Sequence, residues 1–405
     1  MNKITLISGY YYPEDTAIGL YNKQMVDYLT GMGYDVNIIT GFPSYPQWKI
    51  RDDYKKKKTF LKEKDGNSTI YRYKQYVPSK PTFFKRILLL LDFTLGSFIN
   101  VFKIKECDIV ISVVPHTSTI FLGWILKRRR KAKLWNHIQD FEFDAVKETG
   151  LTSGDNIIKK SLFNLLFRME KRLLNQGDIN STISHRMISH LKDKSNSDSF
   201  YFPNWIDVSK INPSNYETHD YLKSSRFKIL YSGNIGDKQD WDFFVLFAKK
   251  LMNLEVEILV VGDGAKREWL CDNIRNFDNV KYYPPVKYSE LSSLLCSADL
   301  HILFQKNNVV DSVMPSKLLG MMASSRPSLI TGGDGSEVKV VVNNSNGGVY
   351  LSNVDVEECV SVVKSLLNSK EKLLDLGLNA RNYIVKHFSS NEVLQSFENK
   401  LSEIV

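Results

Sequence analysis

The chain has 405 residues, 43% hydrophobic and 24% charged, with 22 Gly and 12 Pro, a composition that excludes a disordered or fibrous protein and leaves room for two or three domains. Its net charge of +9 is unevenly spread: residues 1–200 hold 32 Lys and Arg against 20 Asp and Glu, whereas residues 201–405 hold 22 against 25. The four cysteines (Cys107, Cys271, Cys296, Cys359) form no C-x-x-C pair, which argues against a disulfide scaffold or a zinc knuckle and for a reducing cytoplasm.

Residues 3–8 read as a buried first strand. Their short apolar run leads into Tyr10-Tyr11-Tyr12-Pro13 and not into a small-residue cleavage site, so no signal peptide is expected. A loop over 9–19, a helix over 20–31 and a strand over 34–40 complete a βαβ unit, the signature of a parallel sheet. Residues 41–79 are aromatic and basic and read as an irregular excursion. The longest apolar stretch, 87–102, has sixteen residues and contains Asp92 and Asn100; it is too short to span a bilayer and reads as a buried or interfacial helix.

A strand over 108–114 ends at Pro115-His116, a helix covers 118–126, and a further strand edge covers 136–141. Residues 156–175 are helical with interleaved basic and apolar positions, and 179–184 form a short strand before a helix opening at 184. Pro203-Asn204-Trp205-Ile206-Asp207 reads as the exit from a first domain, and the polar stretch 208–225 as a linker. A second run of βα alternation follows: strands over 227–232, 255–261, 280–283, 300–304 and 327–331, with helices between them. Helices over 336–343, 355–367, 369–376 and 390–404 close the chain. Pattern alone gives two parallel α/β domains, 1–207 and 208–385, with 386–405 a closing segment. Ligands of such sheets bind beyond the carboxyl ends of the strands.

Candidate residues cluster at those ends. Gly19 stands in the loop after the first strand, where a helix N-terminus suits a phosphate, or where a loop simply needs a glycine. No G-x-G-x-x-G is present, which disfavours nicotinamide or flavin binding. Gly233, Asn234 and Gly236 occupy the equivalent loop of the second half and are candidates for a backbone nest around a diphosphate, a tight turn being the alternative. Gly262 lies in a weaker version of the same pattern. Ser316 and Lys317 fall in the first turn of a helix after Pro315, and a lysine opposed there by the macrodipole suits an anionic ligand. His116 and Asp140 sit at predicted strand ends, places that carry chemistry but also cap loops. No spacing of His, Cys, Asp and Glu suggests a metal site. Lys85, Arg86, Arg128, Arg129, Arg130, Lys159 and Lys160 flank apolar stretches, as expected of attachment to anionic lipid; nucleic acid is disfavoured because no nucleic-acid motif accompanies the charge.

Taken in order, several motifs are familiar: Tyr11-Tyr12-Pro13 with Gly19-Leu20-Tyr21, Thr40-Gly-Phe-Pro-Ser-Tyr-Pro46, and His137-Ile138-Gln139-Asp140. The second half adds Tyr231-Ser-Gly-Asn-Ile-Gly236, Val261-Gly-Asp-Gly264, Tyr288-Ser-Glu-Leu291, Ala298-Asp-Leu300, Pro315-Ser-Lys-Leu-Leu319 and Met322-Ala-Ser-Ser-Arg-Pro327. The chain resembles, over nearly its whole length, the family 4 glycosyltransferases. Within them it is similar to the bacterial O-antigen and colanic-acid type that includes L-fucosamine transferases.

The resemblance implies a GT-B fold, two Rossmann-like α/β domains with a cleft between them, the last helix returning to the first domain and no metal or other cofactor required. It implies an N-terminal domain for a lipid-linked acceptor and a C-terminal domain for a nucleotide-sugar. Gly19, Gly233, Asn234, Gly236, Ser316 and Lys317 would then hold the donor diphosphate, Gly262, Tyr283 and Glu290 would lie near the base and ribose, and Asp140 or His116 would orient the acceptor or the sugar. The reaction implied is retaining transfer of a sugar, N-acetyl-L-fucosamine or another N-acetylhexosamine, from a UDP-sugar to an undecaprenyl-diphosphate-linked saccharide at the cytoplasmic face of the inner membrane, with the enzyme peripheral on its anionic surface.

The sequence also departs from the family pattern. Two glutamates eight residues apart are usual around the Pro315 segment, and the corresponding positions here are Ser312 and Gly320. An Arg/Lys pair often follows the glycine loop, where this chain offers only Lys238, and the frequent N-domain histidine is replaced by Gln139. Two alternatives remain at this level: a non-transferring sugar-nucleotide enzyme like the UDP-N-acetylglucosamine 2-epimerases, and a non-catalytic membrane-associated nucleotide-binding protein.

Overall fold

The computed structural model describes residues 2–14, 17–80, 82–144, 157–307 and 315–404. The chain divides into two compact units, Met1–Pro203 with Leu394–Val405, and Asn204–Val393.

The first unit is built on a sheet of strands β1 (Lys3–Ser8), β2 (Asp35–Gly41), β3 (Phe60–Asp65), β4 (Ser68–Tyr73), β5 (Ile109–Val114), β6 (Lys133–Ile138), β7 (Ile179–Thr182) and β8 (Asp198–Tyr201), in the order β3-β4-β2-β1-β5-β6-β7-β8. All neighbours pair in parallel except the β3–β4 hairpin. All six residues of β5 are buried, as in a parallel strand covered on both faces. The edge strand β3 instead carries Lys62, Glu63, Lys64 and Asp65, charges that blunt an open edge. This hairpin lies inside the stretch read from sequence as irregular. Burial alternates over Ser68–Tyr73, with Ser68, Ile70 and Arg72 inside, but a serine and an arginine at those positions and four consecutive charges in β3 hide the strand period in the sequence.

Helices α1 (Ala17–Gly31), α2 (Phe83–Lys103), α3 (Ser118–Arg130), α4 (Ile157–Leu174) and α5 (His185–Lys194) belong to this unit. The apolar stretch over 87–102 is therefore the body of a 21-residue helix. It is seated by Tyr73: a Cβ at Gly96 would stand 2.2 Å from that ring, and the Tyr73 hydroxyl donates to Asp92 Oδ1 at 3.0 Å. Arg72, 1% exposed, ties the hairpin in by donating to Glu63 Oε2 at 2.6 Å, to Gly41 O at 3.1 Å and to Tyr12 O.

The second unit holds β9 (Phe227–Ser232), β10 (Val256–Val261), β11 (Val280–Tyr283), β12 (Leu300–Phe304), β13 (Ser328–Gly332) and β14 (Gly348–Ser352), all parallel, in the order β11-β10-β9-β12-β13-β14. The edge strands β8 and β14 were not expected from sequence; each is only four or five residues long and no position in either is fully buried. Helices α6 (Trp241–Lys250), α7 (Arg267–Ile274), α8 (Leu291–Cys296), α9 (Ser316–Ala323), α10 (Glu337–Ser345), α11 (Val356–Leu367) and α12 (Lys370–Phe388) complete it. Arg381 on α12 donates to Ala323 O at 2.5 Å, Ile211 O at 2.8 Å and Val208 O at 3.0 Å, and so satisfies a carbonyl at the end of α9 and holds that short helix in place.

The chain ends in α13 (Ser390–Ser402). Its Phe397 is part of the first unit's core, stacked on Phe202 (centroids 4.5 Å apart) and edge-on to Trp135 at 4.8 Å; Tyr34 donates to Glu398 at 3.0 Å.

Candidate active site

In each unit the strand order reverses beside its first strand, at β1/β5 and at β9/β12, and such switch points are where doubly wound sheets bind ligands. Of the sequence-derived candidates, His116 follows β5 at the first and Gly233 follows β9 at the second.

In the second unit, Lys317 in the first turn of α9 reaches the loop after β9. Its Nζ donates to the Tyr231 hydroxyl at 3.0 Å and lies 4.9 Å from that ring's centroid. Burial pushes the Tyr231 pKa well above its ordinary value, so the hydroxyl keeps its proton and donates it to Asn234 O at 2.6 Å. Gly233 lies against the same lysine: at φ +140° it occupies a backbone region suited to glycine, and a Cβ there would stand 3.3 Å from Lys317 Cε.

Gly262 is required by close approach, since a Cβ on it would stand 1.9 Å from Gly233 O. Gly233 N donates to Val261 O at 2.9 Å and Gly236 N to Gln239 Oε1 at 3.2 Å, so these N–H groups hold the loops together. Asn234 is exposed at the loop tip. The helical turn at Ser316 is described, whereas its side chain and residue Ser312 lie outside the described residues.

Of the residues expected near base and ribose, Gly262 and Tyr283 are joined, Gly262 N donating to Tyr283 O at 3.1 Å. Tyr283 is stacked on Tyr221, ring centroids 3.9 Å apart and planes 8° apart, so one of its faces is already covered. Glu290 is exposed and accepts from Lys287 N at 3.0 Å, which makes it the cap of a short helical turn.

In the first unit, His116 is buried at φ +85° at the end of β5, and its ring closes over Gly9 at the end of β1, where a Cβ would meet Nδ1 at 2.2 Å. Burial lowers its pKa to about 4, so the ring is neutral at physiological pH, and Nδ1 has no hydrogen-bond partner among the described residues. Tyr10 and Phe93 lie 5.1 and 5.3 Å from it, centroid to centroid.

Two carboxylates that the sequence reading did not single out stand beside Tyr10. Glu14 is buried; its Oε1 accepts from Ser44 N and Tyr45 N at 2.7 and 2.9 Å, Oε2 is unpartnered among the described residues, and burial raises its pKa to about 7. Glu142 accepts from Thr117 N at 2.8 Å and Thr117 Oγ1 at 3.0 Å, and burial raises its pKa too. Both push the Tyr10 pKa upward, after burial itself. Tyr45 and Trp48 extend this surface, at 5.6 Å from Tyr10 and 6.4 Å from Tyr45 respectively. Asp140, the carboxylate favoured from sequence, is exposed, two residues before Glu142. Gly19 lies in the first turn of α1, where a Cβ would stand 2.7 Å from Glu14 O. It lets the helix start pack over the Glu14 loop.

The basic residues separate in the same way. Lys85 and Arg86 are exposed at the start of α2, with the Arg86 guanidinium 5.3 Å from the Trp48 ring centroid. Arg128 is exposed near Trp124. Arg129 donates to Val101 O at 3.3 Å and Arg130 to Ile104 O at 2.6 and 3.0 Å, so these two, expected simply to face a membrane, also bind carbonyls at the C-terminal end of α2. The side chains of Lys159 and Lys160 lie outside the described ones. Among the described residues, no group of three His, Cys, Asp or Glu side chains could hold a metal ion.

Residues 219–383, the segment containing Tyr231, Gly233, Gly262 and Lys317, match the family "Glycosyl transferases group 1". Over its full length the chain is 30% identical to the "Putative colanic acid biosynthesis glycosyl transferase WcaI" of Escherichia coli K12, with 98% of this chain and 99% of that protein aligned. The chain belongs to the group 1 glycosyl transferases. Solved structures agree on the fold. Sucrose-phosphate synthase from Thermosynechococcus elongatus superposes with a TM-score of 0.73 at 13% identity, covering 100% of this chain and 99% of that one. Anabaena Alr3699/HepE in complex with UDP superposes at 0.65 and 12%, covering 100% of both. This group 1 glycosyl transferase thus has the GT-B fold, two Rossmann-like parallel-sheet domains. Within it, Lys317 and Tyr231 stand at the switch point of the family-matched unit, and His116, Glu14 and Glu142 at that of the other.

Proposed function

We propose that this enzyme moves a sugar, N-acetyl-L-fucosamine or another N-acetylhexosamine, from a UDP-sugar to an undecaprenyl-diphosphate-linked saccharide in bacterial surface-polysaccharide synthesis. The observation that carries the donor half is the cation of Lys317, held at the end of β9 by Tyr231 and set in the first turn of a helix, where positive charge is opposed by the macrodipole unless an anion joins it. HepE, of the same fold, is known in complex with UDP, and the relative WcaI is named for colanic acid biosynthesis; both support the reading of donor and pathway class.

In this reading Lys317 stabilises the negative charge that develops on the leaving diphosphate. The aromatic surface of Tyr10, Tyr45 and Trp48 suits the apolar face of a sugar ring, and Glu14 and Glu142 supply acceptors for its hydroxyls. His116, neutral and with Nδ1 unpartnered among the described residues, orients a hydroxyl or the donor sugar. Orientation on one face of the donor is the main demand of retaining transfer without a metal. The unit Met1–Pro203 with Leu394–Val405 takes the acceptor, and Asn204–Val393 the donor. The enzyme works from the cytoplasmic side, on the anionic inner-membrane surface.

The test incubates the purified enzyme with UDP-, GDP- and TDP-sugars, with and without a synthetic lipid-diphosphate saccharide. Acceptor-dependent release of UDP is the expected result. Turnover of the UDP-sugar without acceptor would favour the epimerase-like alternative, and failure to bind any sugar nucleotide the non-catalytic one.

A further inference from the structure

Helix α2 has two faces of different fate. Leu89, Phe93, Ser97, Asn100 and Val101 are buried. Phe84, Leu88, Leu91, Leu95, Phe98 and Phe102 are exposed, Phe84 and Leu95 at 72% each, with Ile99 beside them at 49%. Their spacing of four, three, four, three and four residues draws one line along a helix of ~3.6 residues per turn, about 27 Å long at ~1.5 Å per residue. Single exposed apolar side chains need no explanation, but a continuous line of six does.

The line is also free of exposed charge. Between Arg86 and Lys103 the only ionisable residue is Asp92, whose carboxylate accepts from the Tyr73 hydroxyl at 3.0 Å and from Tyr76 N at 2.6 Å. Cations bound both ends: Lys85 and Arg86 at the first, Lys103 and Lys105 at the second. There the Arg129 guanidinium also lies 4.6 Å from the Phe102 ring centroid.

We propose that this face of α2 lies in the plane of an anionic bilayer, with its apolar line inserted at the boundary between headgroups and acyl chains and its terminal cations on lipid phosphates. The proposal rests on the membrane-surface part of the function proposed above and names the element that makes the contact. Among the described residues, no helix is long and apolar enough to cross a membrane, and the other face of α2 is committed to the sheet, so the helix lies along the surface. Charge decides against a second copy of the chain as the occupant. Antiparallel self-packing would set Lys85 and Arg86 against the partner's Lys103 and Lys105, and parallel packing would set each pair against itself; both oppose like charges, whereas anionic headgroups complement both ends. The contact is apolar along its length and cationic only at its tips, so it differs from attachment by basic clusters alone.

Co-sedimentation of the full-length protein with vesicles of phosphatidylglycerol and phosphatidylethanolamine tests this, beside calorimetric UDP binding and thermal unfolding of the same samples. Wild type is expected to pellet with these vesicles and only in part to be released by 1 M NaCl, because screening weakens the tips and not the inserted line. Leu91→Glu/Leu95→Glu should lower partitioning at least tenfold with UDP affinity and melting temperature unchanged, since both side chains are exposed. The milder Leu91→Gln/Leu95→Gln pair should follow in the same direction. Vesicle binding of either variant equal to wild type, complete release of wild type by salt, or a wild-type dimer that the variants dissociate without change in vesicle binding would each overturn the proposal. Loss of UDP binding by wild type would instead count against the donor assignment and leave the vesicle result to be read separately.

Discussion

Lys317 and Tyr231, 86 residues apart in sequence, meet at 3.0 Å, and the tyrosine hydroxyl in turn donates a hydrogen bond to Asn234 O at 2.6 Å. The lysine is thereby tied to the glycine loop of the same unit. If its charge serves a donor diphosphate, Lys317→Ala should weaken UDP binding by about tenfold or more, the scale of a charge-assisted contact. Tyr231→Phe removes only the tether and should cost affinity less, with stability down by about 1 kcal/mol. Titration calorimetry with UDP checks both; an unchanged affinity in Lys317→Ala would sink the role given to it.

The crossing of Gly262 and Gly233 leaves no space for a side chain. A Cβ at 1.9 Å from Gly233 O has to displace backbone, so Gly262→Ala should destabilise the second unit by roughly 1–3 kcal/mol and impair UDP binding. Gly236→Ala should cost less, because the nearest obstruction, at 2.8 Å, is the flexible Asn234 amide. Denaturant titrations of the two variants, followed with UDP binding, give the comparison.

Glu14 makes stability depend on pH with a definite sign. Its folded-state pKa of about 7 lies above the ordinary glutamate value of 4.5. The folded state therefore holds a proton that the unfolded chain has released, and the contribution is complete below about pH 4.5 and lost as pH rises through about 7. Glu14→Gln fixes the neutral form. Relative to wild type the variant should gain stability between pH 4.5 and 8, by up to the order of 3 kcal/mol. Urea denaturation of both proteins at the two pH values measures the gap, and a gap independent of pH would show the carboxyl to be ordinary.

Phe397 joins the end of the chain to the first unit's core through Phe202 and Trp135. Phe397→Ala should cost about 3–5 kcal/mol, as large aromatic truncations in packed cores do. Tyr34→Phe, which removes one partly buried hydrogen bond to Glu398, should cost about 1 kcal/mol or less. Unfolding monitored by near-ultraviolet circular dichroism, where Trp135 reports, distinguishes the two.

The main strands were legible because each is a buried parallel strand and reads as a short, mostly apolar run: Lys3–Ser8, Ile109–Val114, Val256–Val261 and Leu300–Phe304. Elements without that run escaped. The β3–β4 hairpin, with consecutive charges over Lys62–Asp65 and Arg72 among the buried positions of β4, reads as loop, and the edge strands Asp198–Tyr201 and Gly348–Ser352 are short and nowhere fully buried. In the site, Lys317 and Gly233 were legible from the strand–glycine–helix pattern. Tyr231, Glu14 and Glu142 were not, because nothing in their local sequence says that a buried tyrosine awaits a lysine or that a carboxylate is cut off from water.

By itself the sequence determined the βα alternation, the two halves and the excess of positive charge in the first half, all of which follow from local period and composition. Tertiary structure alone decided which charges are spent. Arg129 and Arg130, in one run with Arg128, reach carbonyls at the end of α2, and Asp92 is turned to Tyr73, which leaves the α2 surface apolar between cationic ends. Composition counts charges wherever they are; only packing determines which remain in water to meet a partner.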